Sequence, residues 1–389
     1  DVAAAFQARP ASINLASYTG HGDLRDRVLG ADYKRTATPD ELRRMSALVA
    51  EDMAAGSLGL STGLEYDPGI YSSHEELLAL ARTAAASGGR YISHLRSEDV
   101  KFDAALDELL DIGRQTGMPV QVSHIKLAIV DRWGGARAVL ARLDRARAEG
   151  IRVTADIYPY EYWQSNLAVL LPERDFNDLK AARFALTKLT TPEGMLIASY
   201  APDPAVVGHT IAQVAAQRGE EPAVTYLALV RQAEAYRVAN PGVADVESVI
   251  GTAMAPADIA DFITWPFTGI CSDGFLGSRH PRGVGAFAKV LRYYVREQRL
   301  LTLEEAVRKM TSLTAQSLGI ADRGLVKPGY FADLVLFDPA RIADRSTPEA
   351  PQAVAVGVER VWVNGALVLD GGQPTAVYAG RFLKRGDAH

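Results

Sequence analysis

Two short stretches decide the fold: Tyr91-Ile92-Ser93-His94 and Val120-Gln121-Val122-Ser123-His124. Each is a β-type run that ends in an apolar residue, a serine and a histidine, and the two histidines lie 30 residues apart. Between them, Ala104-Ala105-Leu106-Asp107-Glu108-Leu109-Leu110 repeats apolar residues at three- and four-residue spacing, which is typical of an amphipathic helix. A strand, a helix and a second strand in this order predict a parallel βα unit.

The same alternation runs through the first two-thirds of the chain. The candidate strands are Ile13–Tyr18, Leu58–Thr62, Arg90–His94, Val120–His124, Arg152–Asp156, Glu247–Thr252 and Thr268–Ser272. Many such units in one domain favour a (β/α)₈ barrel of the TIM type. A doubly wound open sheet is the alternative, but no G-x-G-x-x-G follows a first strand to support it.

The domain organisation follows from where this alternation stops. We predict a barrel over residues 1–325, with a more helical insertion at about 170–245, and a small β module over 326–389. In that tail, Gly329–Asp338 and Val358–Gly365 are β-type runs with turn signals, and Arg381–Leu383 is a short third candidate.

Composition limits the class of protein. The net charge of -5 and the lack of a basic stripe give no reason to expect nucleic acid, and no apolar run has membrane-spanning length. The single cysteine, Cys271, favours a reducing compartment, and we expect a cytoplasmic protein. An oligomer is possible.

Polar residues follow the candidate strands, at the end where a barrel carries its active site. His94 and His124 would lie on successive strand ends, and imidazole suits zinc, although a hydrogen-bonded core pair is the alternative. Asp273 follows another strand, where a carboxylate can contact both a metal and a water, or simply cap a helix or turn. Tyr66, Lys126 and Arg282 could bind an anionic substrate, or equally be solvated surface groups.

A set of strings in this order resembles those of the D-aminoacylases, or N-acyl-D-amino-acid deacylases, of the amidohydrolase superfamily. The strings are Gly63-Leu64-Glu65-Tyr66-Asp67-Pro68-Gly69, Ser93-His94-Leu95-Arg96-Ser97-Glu98, Ser123-His124-Ile125-Lys126, Asp156-Ile157-Tyr158-Pro159-Tyr160, Ser272-Asp273-Gly274, residues 303–312 and residues 322–334. The resemblance runs from about residue 10 to the end of the chain, and its specificity lies in the combination.

The resemblance implies an amidohydrolase barrel with a small β-sandwich, one or two zinc ions, and hydrolysis of small N-acyl-D-amino acids to a carboxylate and a free D-amino acid. His94, His124 and Asp273 match metal ligands, and Asp273 also matches the general base that later acts as the acid. Tyr66 matches a tyrosine near the scissile carbonyl. The groups matching the substrate-carboxylate site are Lys126, Tyr158, Arg282 and, less securely aligned, Ser165.

The chain also departs from that family's pattern. The His-x-His motif of strand one and the zinc-binding cysteine of strand two are not here, and Cys271 lies on the wrong strand to replace it. We therefore expect strands three to eight only, with roughly a hundred residues missing upstream, or else a natural variant with a rebuilt site.

Two other functions stay open at this point. A hydantoinase or dihydroorotase would carry a carboxylated lysine on strand four, where Ser57–Thr62 has none. A metal-free barrel that only binds a ligand is the alternative outside enzymes.

Overall fold

The computed structural model describes residues 2–243, 245–275 and 277–386. His389 and the last residues of the predicted β module lie outside these ranges. The strands are β1 (Thr19–Gly20), β2 (Gly59–Gly63), β3 (Arg90–His94), β4 (Val120–Val122), β5 (Val153–Ile157), β6 (Tyr162–Ser165), β7 (Met195–Tyr200), β8 (Glu247–Thr252), β9 (Thr268–Ile270), β10 (Leu334–Phe337), β11 (Val358–Val363), β12 (Ala366–Asp370) and β13 (Gln373–Pro374).

The helices lie mainly between these strands. They are α1 (Val2–Ala8), α2 (His21–Leu29), α3 (Pro39–Ala55), α4 (His74–Ala86), α5 (Phe102–Thr116), α6 (Ala136–Ala148), α7 (Leu179–Phe184), α8 (Ile211–Arg218), α9 (Pro222–Ala239), α10 (Pro256–Thr264), α11 (Arg282–Lys289), α12 (Leu303–Met310) and α13 (Ser312–Leu318). Two π-helical stretches, Ala185–Leu189 and Val290–Glu297, directly continue α7 and α11.

The predicted parallel βα architecture is confirmed. Within the described residues, six parallel strands form one sheet in the order β1-β2-β3-β4-β5-β9. Helices α3, α4, α5 and α6 connect neighbouring strands, which is the arrangement of consecutive units of an amidohydrolase barrel. The described residues thus supply six of the eight strands that a closed barrel of this type has.

Helix α5 illustrates why the sequence folds in this way. Its buried side chains recur at helical spacing on one face, which packs into the core: Phe102, Ala105, Leu106, Leu109, Leu110 and Ile112. The helix ends at Gly117, whose φ of 67° is the left-handed conformation that glycine adopts without steric cost. The chain then turns directly into β4.

The segment between β5 and β9, which we call the insertion, extends beyond the predicted 170–245 and carries a sheet as well as helices. Strands β6, β8 and β7 form an antiparallel sheet, so placing Glu247–Thr252 in the same alternating series as the barrel strands was wrong. Its β-type pattern was correct, but a pattern specifies a strand and not the neighbour with which it pairs. This sheet and α7, α8 and α9 enclose a second hydrophobic core around residues such as Trp163 and Tyr226.

The first candidate strand was also wrong. The structure places β1 at Thr19–Gly20, after the predicted Ile13–Tyr18, and Leu15 instead forms an isolated bridge with Phe382. Ile13 is 63% exposed, so the apolar run that suggested a strand is not buried.

The tail forms one antiparallel sheet in the order β10-β11-β12-β13. Two predicted runs are strands, whereas Arg381–Leu383 contributes only the bridge from Phe382. The overlooked strand β12 follows Asn364-Gly365, a pair with φ of 50° and 82° that is typical of a tight hairpin. The described tail residues supply one such sheet, which is a single layer of the predicted β-sandwich.

Candidate active site

A cavity of about 490 Å³ lies at the carboxyl ends of the parallel strands. Every residue that the sequence analysis selected contributes to its lining: Tyr66, His94, His124, Lys126, Tyr158, Ser165, Asp273 and Arg282. They come from the ends of five parallel strands, from the insertion and from the start of α11. The volume is in the range usual for small-molecule sites.

The two histidines face each other. Nδ1 of His94 lies 3.1 Å from Nε2 of His124, and the two rings meet nearly edge to face. Two ligands at about 2 Å on a tetrahedral ion are separated by about 3.3 Å, so these nitrogens fit a shared zinc ion. Strand pairing explains the approach, because Ser93 pairs with Val122 and each histidine follows closely on its strand.

The outer nitrogens of both rings are held by carboxylates. Nε2 of His94 is 3.1 Å from Oε2 of Glu65, and Nδ1 of His124 is 3.0 Å from Oε1 of Glu98. Nζ of Lys126, which can only donate, also lies 2.8 Å from Nδ1 of His124. A ring that donates its outer N–H to a carboxylate presents the lone pair of its other nitrogen, which is the tautomer that a metal needs. We call Glu65, His94, Glu98 and His124 the strand-end cluster.

Charge balance in this cluster shifts its proton affinities. Burial lowers the pKa of His94, but the carboxylates of Glu98 and Glu65 outweigh burial and hold that pKa above 6.5. Burial would raise the pKa of Glu98, yet His94, Lys126 and His124 keep it well below its usual range. Ligand atoms of His94, Glu98 and His124 lie within 4.8 Å of one another, so Glu98 is itself a possible ligand.

A carboxylate below the cluster fixes the backbone turn at His124. The backbone of His124 has a φ of 36°, which is unusual for a residue other than glycine. Its N–H donates to Oδ1 of Asp156 at 2.7 Å, and the next amide, from Ile125, donates to the Asp156 carbonyl at 2.8 Å. Asp156 therefore positions one of the two histidines.

Asp273 joins the pocket by a different contact. Its Oδ2 lies 2.7 Å from Nη1 of Arg282, and its φ of 45° is again left-handed. Among the described residues, the group close enough to share one ion comprises His94, Glu98 and His124, and Asp273 is not in it. The metal-ligand and base roles of Asp273 therefore stay predictions.

Two cations line the same pocket, Arg282 beside Asp273 and Lys126 beside Glu98. Arg282 stacks over the ring of Tyr158 at 4.5 Å, and Nζ of Lys126 lies 2.5 Å from Oε2 of Glu98. Two buried atoms, Tyr158 Oη and Arg282 Nε, have no hydrogen-bond partner among the described residues. Burial raises the pKa of Tyr158 well above 10 although Arg282 opposes the rise, so its hydroxyl stays a donor.

Sequence reasoning missed three of these carboxylates. Glu65 and Glu98 lie inside the strings that carried the family resemblance, beside Tyr66 and the strand-end Ser-His motif. Asp156 ends a β-type run, which is the same signal that selected the histidines. Their roles follow from contacts between different strand ends, which no local spacing records.

Comparison with known proteins places the chain in a family. A sequence model of the amidohydrolase family matches residues 272–369. An N-acyl-D-glutamate deacylase from Alcaligenes xylosoxydans xylosoxydans is 38% identical over 98% of this chain and 72% of its own length. The chain belongs to the D-aminoacylase family. Two further proteins from the same organism, a D-aminoacylase and an N-acyl-D-aspartate deacylase, are 36% and 37% identical to this chain.

Solved structures agree with this membership of the D-aminoacylase family. A D-aminoacylase crystal structure matches with a TM-score of 0.85 and 35% identity, covering 98% of this chain and 74% of that one. An N-acyl-D-glutamate deacylase from Bordetella bronchiseptica, with the same coverage, matches at 0.86 and 36%, and was solved with zinc and a phosphonate mimic of the tetrahedral intermediate. A dihydropyrimidinase at 13% identity and a TM-score of 0.54 shares the fold alone.

Zinc is thus a metal found in this family, and the facing nitrogens of His94 and His124 are suitable donors for it. A study of D-aminoacylase also describes a binuclear centre in that protein. In the described part of this chain, no helix combines the length and apolar character needed to cross a bilayer.

Proposed function

We propose that this protein hydrolyses the amide bond of N-acyl-D-amino acids with the help of zinc, releasing a carboxylate and the free D-amino acid. The observation that carries the proposal is the convergence of two facing imidazoles, an aspartate and a cationic pair on one cavity. Metal-assisted amide hydrolysis uses the metal ligands and the base, and the cations suit a substrate that carries a carboxylate.

The chain's own residues divide the work. His94 and His124, with Glu98 or Asp273, would hold the zinc ion, and zinc supplies Lewis-acid polarisation of the amide carbonyl. Asp273 accepts a proton from the attacking water and then donates a proton to the departing amine, which would otherwise leave poorly. Tyr66 lies beside His94, with ring centroids 4.7 Å apart, where it can contact the carbonyl.

The substrate carboxylate would bind between Lys126, Tyr158 and Arg282, with Ser165 nearby. The free Tyr158 hydroxyl and the free Nε of Arg282 are buried donors that a carboxylate can satisfy. With the carboxylate held on one side and the amide on the metal side, the hand at Cα decides where the substrate side chain lies. We expect D-substrates to be preferred to L-substrates, because the relatives are named for D-amino acids.

Hydrolysis of N-acetyl-D-amino acids by the zinc-loaded, full-length protein tests the proposal. We expect Asp273→Asn to lower kcat by about 10²–10⁴-fold, the usual contribution of general acid–base catalysis. Asp99→Asn is the matched control, because Asp99 lines the same cavity and bonds to Ser97. Zinc content is measured for each variant to separate loss of metal from loss of the base.

Two outcomes would contradict the proposal. Full activity in Asp273→Asn would remove the base assignment. A protein that binds no zinc and hydrolyses no N-acyl-D-amino acid would favour the alternative of a barrel that only binds a ligand. The predicted cytoplasmic location rests on the single cysteine and stays a prediction.

A further inference from the structure

Part of the cavity lining is apolar. These apolar residues do not lie at the strand ends that carry the strand-end cluster. Five side chains form this part, and we call them the apolar wall: Ala128, Trp163, Val169, Leu170 and Leu189. Four of these belong to the insertion between β5 and β9, and Ala128 lies in the loop after β4. The wall therefore joins the barrel to the insertion.

The apolar wall is held in place by packing behind it. Leu170 and Leu189 pack in a small hydrophobic cluster with Ile129 and Ala185. Trp163, only 8% exposed, belongs to the core of the insertion. A surface supported in this way offers a preformed apolar site to a ligand.

The charges of the cavity leave no cation for a second carboxylate. Among the described lining residues, the permanently charged cations are Lys126 and Arg282, which already face Glu98 and Asp273 at 2.5 and 2.7 Å. Four carboxylates line the same cavity: Glu65, Glu98, Asp99 and Asp273. An acidic side chain of the substrate would therefore meet an apolar surface and no unpaired cation among the described lining residues.

The cations that neighbour the apolar wall in sequence are turned to other acceptors. Lys188, next to Leu189, contacts Asp131 at 2.6 Å, and Arg183 contacts Glu221 at 2.7 Å. Arg174 follows the 3₁₀ helix Leu167–Leu170 that carries part of the apolar wall, and it is not among the lining residues. Its guanidinium contacts Asp67 at 3.0 Å and the carbonyls of Ala168 and Leu171 at 3.0 and 3.1 Å. The charge of Arg174 is therefore paired with Asp67, and its guanidinium stabilises the loop at residues 168–171.

We infer that the apolar wall receives the side chain of the D-amino acid and selects apolar side chains, such as those of leucine, methionine and phenylalanine, against glutamate and aspartate. This inference rests on the proposed function. It separates this chain from two relatives whose names specify D-glutamate and D-aspartate substrates. Desolvating a carboxylate without a counter-ion disfavours the acidic substrates, while apolar burial favours the others.

A substrate panel on the zinc-loaded protein tests the preference directly. We expect kcat/KM for N-acetyl-D-leucine to exceed that for N-acetyl-D-glutamate by about 100-fold or more. A preference for N-acetyl-D-glutamate or N-acetyl-D-aspartate would overturn the inference and leave the proposed function standing. Failure to hydrolyse any N-acyl-D-amino acid would overturn both.

A positive charge placed on the apolar wall tests whether the wall contacts the side chain of the D-amino acid. Leu170→Arg should raise kcat/KM for N-acetyl-D-glutamate relative to N-acetyl-D-leucine by about 10-fold or more, because the new cation can pair with the acidic side chain. Val238→Arg, at an 81% exposed position of α9 in the same insertion, is the matched control and should leave the ratio unchanged. An unchanged ratio in Leu170→Arg would overturn the assignment.

The acyl group is the competing occupant of the same surface. With Leu189→Ala, the ratio of kcat/KM for N-acetyl-D-leucine to that for N-acetyl-D-alanine should fall about 10-fold or less, since one buried side-chain contact is lost. Acetyl, butanoyl and hexanoyl derivatives of D-alanine should respond equally. If only the acyl series responded, the wall would hold the acyl chain and the inference would be wrong.

Discussion

The strand-end cluster and the apolar wall line one cavity but are fixed in different ways. In the cluster, His94 and His124 are each tied to a glutamate, at 3.1 and 3.0 Å, at the ends of paired parallel strands. The wall is held by non-directional packing within an insertion that has its own core. The chemistry that we propose therefore lies in the barrel, and the substrate preference that we infer depends on the insertion.

We expect the largest effect from a variant that removes a metal ligand from the strand-end cluster. His124→Asn removes one of two facing nitrogens and the ring contact with Glu98, so we expect loss of bound zinc and a decrease in kcat of about 10³-fold or more. Metal analysis and steady-state kinetics measure both. His74→Asn, which loses a histidine–carboxylate pair with Asp111 away from the cavity, should keep its zinc.

A smaller effect separates a ligand from the group that orients it. Glu65→Gln keeps the size of the side chain but removes the charge beside Nε2 of His94, and we expect a 10- to 100-fold weaker affinity for zinc. Competition with a chelator measures this affinity. Glu51→Gln, on the exposed face of α3, is the control, and equal affinities in the two variants would show that Glu65 does not orient the ligand.

The proposed carboxylate clamp lies between the two regions. Arg282→Lys keeps the charge but loses the planar guanidinium that stacks on Tyr158, so we expect KM to rise about 10-fold with little change in zinc content. Initial-rate kinetics on an N-acetyl-D-amino acid provide the measurement. An unchanged KM would remove Arg282 from the clamp.

The last expected effect is on stability and concerns the joint between barrel and insertion. Nδ1 of His280 accepts the N–H of Arg282 at 3.0 Å, and its Nε2 lies 2.8 Å from the carbonyl of Tyr162. Burial, aided by the nearby Arg282 charge, lowers the pKa of His280 to about 2. The unfolded chain therefore binds this proton below about pH 6.5 while the folded chain does not, and stability falls as the pH decreases from there.

Unfolding by urea at several pH values measures this contribution. Between pH 6.5 and 4.5 we expect His280 to account for a loss of up to about 1.4 kcal/mol per pH unit in the free energy of unfolding. His280→Asn should flatten this dependence, while the partly exposed His209→Asn serves as control. The same slope in both variants would mean that His280 does not carry the effect.

Much of the fold and the facing histidines could be predicted from sequence because their signals are local. The alternation around α5 and the Ser-His endings of two successive runs place His94 and His124 on neighbouring strand ends. The partners of those rings could not be predicted in this way. Glu65 reaches His94 from the loop after β2, and only the three-dimensional sheet brings these residues together.

The insertion shows the same limit more strongly. Residues 247–252 have the pattern of any half-buried strand, and the pattern does not reveal that the neighbours are β6 and β7. The apolar wall was not predicted for a related reason, because Leu170 and Leu189 look like ordinary core residues in sequence. Their exposure to the cavity depends on how the insertion lies over the strand ends.

The insertion also affects how the last parallel strand is held. Strands β5 and β9 pair directly, with Ile157 opposite Ile270, yet about 110 residues separate them along the chain. Closing a flexible loop of that length costs about 4 kcal/mol in chain entropy. Because the insertion is folded around its own core, it brings its two ends together and reduces this entropic cost. A substitution that destabilises the core of the insertion would therefore also weaken the pairing of β9 with β5, and would make the position of Asp273 less fixed.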